Sequence, residues 1–177
     1  MSKKVLFVIA SQDYQDIEYQ NTRKVLEDKG FNVEVVSSSY GKAKGKLGGV
    51  VLVDYTLSEV LNKSEEYAAL IFIGGPGATG YFDSEKAHSL AQKFFKEEKL
   101  VAAICIAPGI LAKAGILSGR KATIWHSKED RSPINILKEN GADFVDSSVV
   151  EDGNIITANG PEASEQFGKK IVDCLSR

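Results

Sequence analysis

Four short runs of apolar residues, of which only the second is interrupted, by Asn32 and Glu34, set the strongest limit on the fold of this chain. They occupy residues 5–10, 31–36, 68–73 and 100–104. Because runs with so few polar residues differ from the regular alternation of a half-exposed strand, each run predicts a β-strand that is buried on both faces. Strands of this kind occur in parallel sheets whose two faces are covered by helices.

Amphipathic segments between these runs predict the covering helices. The segments span about residues 16–29, 84–98, 108–114 and 132–140, and glycine follows the first, third and fourth of them. Proline at the start of a helix and glycine after its end are usual boundary signals. The alternation predicts one doubly wound α/β sandwich over residues 1–177, a length that suits a single domain. Ligands of such folds bind beyond the carboxyl ends of the strands.

Turn signals predict two additions to this sandwich. Glycines within residues 41–49, followed by the apolar residues 50–53, predict a turn and an added strand. Residues 149–156 predict a small hairpin around Asp152-Gly153. Gly160-Pro161 then opens a C-terminal helix whose buried face includes Cys174.

Charge and cysteine content exclude several classes of protein. The formal net charge is -2 at pH 7, with acids and bases scattered along the chain, so no basic surface for nucleic acid or an anionic membrane is expected. The apolar run at residues 5–10 is too short for a secretory signal or a membrane span, which makes the cytoplasm the expected compartment. Two cysteines do not form a disulfide framework.

Cys105 is the first candidate for chemistry. It directly follows the apolar run 100–104, and a helix start at Pro108 follows it. A sharp strand-to-helix turn needs small residues on either side of the nucleophile, and Ala103 and Ala107 satisfy this need. Such a turn exposes the side chain and favours the thiolate. The alternative is that Cys105 is a small, buried, inert residue of the core.

The glycine-rich segment 74–80 follows the apolar run 68–73. Residues 75–80 match the pattern G-x-G-x-x-G, but the acid that a dinucleotide site needs about twenty residues later is missing. We therefore predict that the backbone N–H groups of Gly75 and Ile106 form an oxyanion hole beside Cys105. The alternative is a tight turn that only requires glycine.

Glu18 is the predicted acidic partner of Cys105. It lies just beyond the first strand, in the first turn of a helix, where an acid is also common for interaction with the helix dipole. Because the carboxyl ends of adjacent parallel strands converge, its side chain is expected to reach Cys105. A carboxylate and a thiolate repel each other, so the pair should share a proton, and we expect a lowered thiol pKa.

His126 is a candidate general base for Cys105, and Trp125 is a candidate wall of the same pocket. The alternative is that His126 is a loop histidine without a role. His88 is expected at the surface of a helix. The two histidines do not have the spacing of metal ligands, so neither a metal nor another cofactor is expected.

Four motifs together resemble the ThiJ/PfpI superfamily, which includes a deglycase and an archaeal intracellular protease. This resemblance implies a flavodoxin-like three-layer sandwich akin to class I glutamine amidotransferases, with a mostly parallel central sheet and a small added hairpin. It also implies a nucleophile at Cys105, an acid at Glu18, an oxyanion donor at Gly75, and homodimers or larger homo-oligomers. The motifs are QDIE at 15–18, IGGPG at 73–77, AICIAP at 103–108 and NGP at 159–161.

Two departures from the superfamily pattern bear on activity. Protease-like members carry histidine directly after the cysteine, where this chain has Ile106. The histidine or aromatic position that follows Thr123 by two residues holds Trp125, and His126 comes one residue later. One step in an extended segment turns a side chain to the opposite face.

Three hypotheses for function follow. The first is a cysteine-dependent enzyme that acts on reactive carbonyls, glyoxalase-like or deglycase-like, with a small carbonyl compound or a modified protein as substrate. The second is an oxidation sensor or chaperone-like stress protein that uses the same cysteine. The third is a cysteine peptidase or amidohydrolase, which requires a histidine near the sulfur.

Overall fold

The computed structural model describes residues 3–177 and contains a central sheet of seven strands, in the order β11-β12-β8-β7-β1-β3-β6. All neighbours in this sheet are parallel except β11 and β12. In chain order the strands are β1 (Lys4–Val8), β2 (Gln12–Tyr14), β3 (Asn32–Ser37), β4 (Gly41–Gly45), β5 (Val50–Val53), β6 (Tyr55–Thr56), β7 (Tyr67–Phe72), β8 (Leu100–Ile104), β9 (Lys121–Ala122), β10 (Asp143–Phe144), β11 (Val149–Asp152) and β12 (Ile155–Ala158).

Helices cover both faces of the sheet. Leu6 and Val8 of β1 face one apolar core, and Val5 and Phe7 face the other, because successive side chains of a strand point to opposite sides. The helices are α1 (Asp16–Glu27), α2 (Leu57–Val60), α3 (Glu85–Lys96), α4 (Pro108–Lys113), α5 (Ser132–Glu139) and α6 (Ser164–Leu175). Helices α1 and α6 pack on the second core, and α3, α4 and α5 pack on the first. The predicted flavodoxin-like α/β sandwich is confirmed.

The two predicted additions are larger than expected. β12 pairs with β8 in parallel, so the hairpin β11–β12 extends the central sheet. Residues 41–45 form β4, which pairs with β2 and β5 in a separate three-stranded sheet. The sequence of β4, GKAKG, has a single apolar side chain, so the pattern of apolar residues does not predict a strand there.

No helix within residues 3–177 has both the length and the apolar character needed to cross a bilayer.

Candidate active site

Cys105 lies at the carboxyl edge of the central sheet, in the turn between β8 and α4. Its backbone has a φ of 63°, in the left-handed region that non-glycine residues rarely adopt. The strained residue is held from both sides: its N–H donates to Ala158 O (2.9 Å), and its C=O accepts from Trp125 N–H (2.8 Å). A strain of this kind costs roughly 1–3 kcal/mol and persists only where the surroundings enforce it. The expected sharp turn is therefore present.

Small residues make this turn possible. Ala103 and Ala107 are fully buried on either side of Cys105. On the neighbouring strand end, a Cβ at Gly74 would lie 2.5 Å from the Cβ of Cys105. The position opposite the nucleophile therefore requires glycine.

Gly75 and Ile106 supply the two backbone donors predicted for this site. Both N–H groups lie close enough to the Cys105 sulfur to lower the pKa of its thiol. Gly75 has a φ of 106°, and a Cβ there would lie 2.5 Å from both Asp13 O and Gln15 N. The glycine lets the backbone come close enough to aim its N–H at the sulfur. An oxygen anion formed on a carbon bound to the sulfur would lie near the same donors.

Glu18 projects from the first turn of α1 beneath the sulfur and is fully buried. Its Oε2 accepts from Gly74 N–H (2.9 Å), and its carboxyl group lies beside the side chain of Cys105. Oε1 is buried and has no hydrogen-bond partner within residues 3–177. Burial raises the pKa of Glu18 to about 7.

The pKa of the Cys105 thiol differs from the expectation. Burial, and next the charge of Glu18, raise the pKa of the Cys105 thiol, although the N–H groups of Gly75 and Ile106 act in the opposite direction. The predicted lowering of the thiol pKa is therefore wrong. Above about pH 7 the pair carries one negative charge, and a thiolate forms when the thiol proton passes to Glu18. Glu18 is thus placed to act as the base for Cys105.

A cavity of about 390 Å³ opens onto the sulfur. Its apolar walls come from Pro76, Ile106, Trp125 and Pro161, so Trp125 does line the pocket. The other lining residues are Gln15, Lys46, Gly75, Thr79 and Cys105. The cavity therefore offers an apolar surface, one reactive thiol and a single cation.

His126 does not line this cavity. Its Nδ1 is 2.9 Å from Ile124 O, its Nε2 is 3.4 Å from Asp146 Oδ1, and its ring packs edge-on against Phe144. The imidazole instead lines a neighbouring cavity, since one step along the extended segment turns it away from the position of Trp125. Within this chain, the structure does not bring His126 to Cys105 as a general base.

His88 is half-buried on α3, where its Nε2 is 2.7 Å from Phe82 O. Within residues 3–177, no three side chains of the metal-ligating types cluster as a metal site would require.

Sequence reasoning missed two residues of the site. Gly74 holds Glu18 through its N–H, and Lys46 reaches the cavity from the loop between β4 and β5. The available signal was the glycine spacing of that loop, at Gly45, Gly48 and Gly49, which indicates a tight turn.

Comparison with known proteins gives a consistent result. The sequence profile described as "DJ-1/PfpI family" matches residues 3–174. Deglycase PH1704 of Pyrococcus horikoshii is 39% identical over 172 residues, which cover 97% of this chain and 99% of the relative. The crystal structure of a ThiJ/PfpI domain protein from Brachyspira murdochii has a TM-score of 0.93 and 33% identity, covering 99% of this chain and 97% of the other. Drosophila melanogaster DJ-1beta has a TM-score of 0.86 and 31% identity, with 99% and 91% covered.

Proposed function

Because this chain belongs to the DJ-1/PfpI family, we propose that it is a cysteine-dependent enzyme that removes reactive carbonyl compounds. Its substrates are small dicarbonyls of the glyoxal type, or the early adducts they form on amino and thiol groups. Relatives named as deglycases support an enzymatic role for the family in general. Cys105 is the nucleophile and Glu18 moves the protons.

One observation carries this proposal: the Cys105 sulfur touches a buried acid and two backbone N–H donors at the base of a cavity. A thiol that attacks a carbonyl carbon generates an oxygen anion on that carbon. The N–H groups of Gly75 and Ile106 stabilise such an anion, and Glu18 takes up the thiol proton. The cavity volume of about 390 Å³ admits a small carbonyl compound together with part of the amino or thiol compound to which it is bound.

The reaction balances without an external oxidant or reductant. For methylglyoxal, the sulfur adds to the aldehyde carbon, and the thiol proton moves through Glu18 to the new oxygen. Glu18 then transfers the C1 proton to C2, and the proton of the C1 hydroxyl passes to the C2 oxygen, which yields a lactoyl thioester of Cys105. Water hydrolyses the thioester, releasing lactate and the thiol.

Loss of methylglyoxal and formation of lactate test the proposal directly. We expect Cys105→Ser to reduce turnover to the rate in buffer alone, because serine lacks a comparably acidic nucleophile. Cys174→Ser is the matched control and should retain the activity. Equal turnover by the Cys105→Ser variant and the unmodified protein would refute the proposal.

A second function uses the same sulfur and is favoured by the position of Glu18. Two equivalents of hydrogen peroxide convert the thiolate to a sulfinate with release of two water molecules. A protonated Glu18 and the N–H groups of Gly75 and Ile106 would hold the sulfinate oxygens. Intact-mass analysis after mild peroxide should show two added oxygens at Cys105, and their absence would argue against a sensing role.

The peptidase hypothesis lacks support from this chain. No histidine lines the cavity in the described residues, and Ile106 occupies the position next to the nucleophile.

We also propose that the chain self-associates through β5. This strand is an outer strand of its sheet, and Val50 and Leu52 on it are 57% and 68% exposed, beside Leu47 at 61%. A second copy that covers this face would remove the apolar surface from water. Sedimentation analysis should show a dimer that Leu52→Glu dissociates. A monomer at all concentrations would contradict the proposal.

A further inference from the structure

We propose that Lys46 is a specificity-determining residue that selects carbonyl compounds carrying a carboxylate, an inference that rests on the carbonyl chemistry proposed above. Lys46 is the only basic residue that lines the Cys105 cavity in the described chain, and no acidic side chain lines it. Its ammonium group forms no ion pair with a carboxylate of residues 3–177. The charge is therefore available to a ligand.

The negative charge beside the Cys105 sulfur makes the positive charge of Lys46 important for binding an anion. Above about pH 7 the Cys105–Glu18 pair holds one negative charge, which repels an anionic substrate. Glu18 is fully buried behind the sulfur, so an entering molecule meets Lys46 and not the carboxyl group. Lys46 offsets the repulsion for a substrate that presents a carboxylate to it.

The loop that carries Lys46 is built around a buried acid. Asp16 is only 4% exposed, and its two oxygens accept from Leu47 N–H and Gly49 N–H, each at 2.7 Å. The N–H of Lys46 itself donates to Tyr14 O at 2.9 Å. Because Tyr14 and Asp16 flank Gln15, which also lines the cavity, these bonds lock the loop to the edge of the site.

Two glycines are required for this lock. A Cβ at Gly45 would lie 2.1 Å from Asp16 Oδ1, and one at Gly49 would lie 2.3 Å from the same atom. The carboxyl group can enter the loop only because both positions lack a side chain. Lys42 and Lys44 belong to the same hairpin but do not line the cavity, so they serve as matched controls.

Two alkylating reagents of similar shape, one anionic and one neutral, test the proposal without requiring turnover. Iodoacetate and iodoacetamide both lose iodide as the sulfur forms a C–S bond, and only iodoacetate carries a carboxylate. We measure the ratio of their rates at Cys105 by peptide mass spectrometry, with Cys174 as the reference in the same sample.

Lys46→Met should lower the iodoacetate-to-iodoacetamide ratio at Cys105 by about two- to fivefold, the size expected for one partly exposed charge pair. Lys46→Arg should preserve the ratio, and so should Lys44→Met. An unchanged ratio in Lys46→Met would overturn the proposal, and so would an equal fall in Lys44→Met.

A binding measurement addresses the substrate class itself. Glyoxylate and glyoxal both form a hemithioacetal, in which the sulfur bonds to the aldehyde carbon and the thiol proton moves to its oxygen. Lys46→Met should weaken protection of Cys105 by glyoxylate about two- to fivefold and leave protection by glyoxal unchanged. An equal effect on both compounds would overturn the assignment.

A turnover measurement then separates two sources of the carboxylate. The methylglyoxal adduct of N-acetylcysteine is compared with that of its amide. If Lys46→Met raises the KM for the N-acetylcysteine adduct and not for the amide adduct, the recognised carboxylate belongs to the thiol compound that carries the carbonyl. If only the binding of glyoxylate is affected, the recognised carboxylate belongs to a 2-oxo acid. The same KM change for the acid and the amide adducts, together with no effect on glyoxylate, contradicts the proposal. Absence of Cys105-dependent turnover would instead refute the proposed function. The alkylation ratio would still decide whether Lys46 selects carboxylates at the cavity.

Discussion

Cys105 and Cys174 each lie against a glutamate, so the molecule contains two cysteine–glutamate pairs with different surroundings. Glu18 beside Cys105 is fully buried and lacks a cationic partner among the described residues, and its pKa is raised to about 7. Glu151 beside Cys174 is held by Arg177 (2.7 Å) and Lys170 (3.2 Å), and Arg177 in particular lowers its pKa to about 2.

The difference decides which group of each pair can release or accept a proton. Cys174 Sγ donates to Glu151 Oε1 at 3.2 Å, and burial together with that carboxylate raises the thiol pKa to about 11. Glu151 is too weak a base to take the proton because its charge is already stabilised. Glu18 has no such stabilisation, so it can accept the thiol proton near neutral pH. We therefore expect the same two residue types to give a reactive thiol at Cys105 and an inert one at Cys174.

The largest expected effect is the difference in reactivity between the two cysteines. At pH 8 Glu18 is ionised and can take up the Cys105 proton as the sulfur attacks, and the N–H groups of Gly75 and Ile106 stabilise the sulfur anion, whereas about one in a thousand Cys174 thiols is ionised and has no base beside it. We expect iodoacetamide to modify Cys105 about 100- to 1,000-fold faster than Cys174, as measured by peptide mass spectrometry. Similar rates at the two positions would show that the surroundings do not separate the pairs.

The next effect is on stability, and it comes from Glu18. The unfolded chain releases the Glu18 proton near pH 4.5, but the folded chain keeps it until about pH 7, so the folded state binds more protons in this window. This contribution is complete below pH 4.5 and is lost as the pH rises through 7. We expect it to amount to about 3 kcal/mol in the free energy of unfolding.

Urea unfolding at pH 4.5 and pH 7.5 measures this contribution. The decrease between the two pH values should be absent in Glu18→Gln, which cannot ionise, and retained in Glu151→Gln. A decrease of the same size in Glu18→Gln would assign it to another group.

Some parts of this molecule can be predicted from the sequence and others cannot. β1, β7 and β8 are predictable because strands buried on both faces leave unbroken apolar runs, and the meeting of Glu18 with Cys105 follows because parallel strands end at one edge. Lys46 was not predictable as a cavity residue, because it depends on Asp16 entering a loop about thirty residues away in sequence. Whether His126 or Trp125 faces the cavity depends on a shift of one residue along an extended segment, and the sequence pattern does not determine that register.

A smaller effect is expected from Glu18→Gln on the reactivity of Cys105. Without a carboxylate to accept its proton, the thiol must ionise to water, and burial holds its pKa above the ordinary value. The pH midpoint of Cys105 alkylation should move from about 7 to a higher pH, with a rate about tenfold lower at pH 7.5. Glu151→Gln is the matched control and should leave the midpoint unchanged. A midpoint that stays near 7 in Glu18→Gln would show that Glu18 is not the proton acceptor.

The smallest expected effect belongs to the Glu151 pair. Because the folded pKa of Glu151 lies below its ordinary value, its stabilising contribution is present above about pH 4.5 and is lost as the pH falls through about 2. The ion pair is partly exposed to solvent, so screening limits this contribution to about 1 kcal/mol or less. Glu151→Gln should therefore lower the free energy of unfolding slightly at pH 7, and 1 M NaCl should reduce that difference. The Glu151 carboxylate also raises the pKa of the Cys174 thiol, so its removal should increase the alkylation rate of Cys174. An unchanged rate would mean that burial alone keeps this thiol inert.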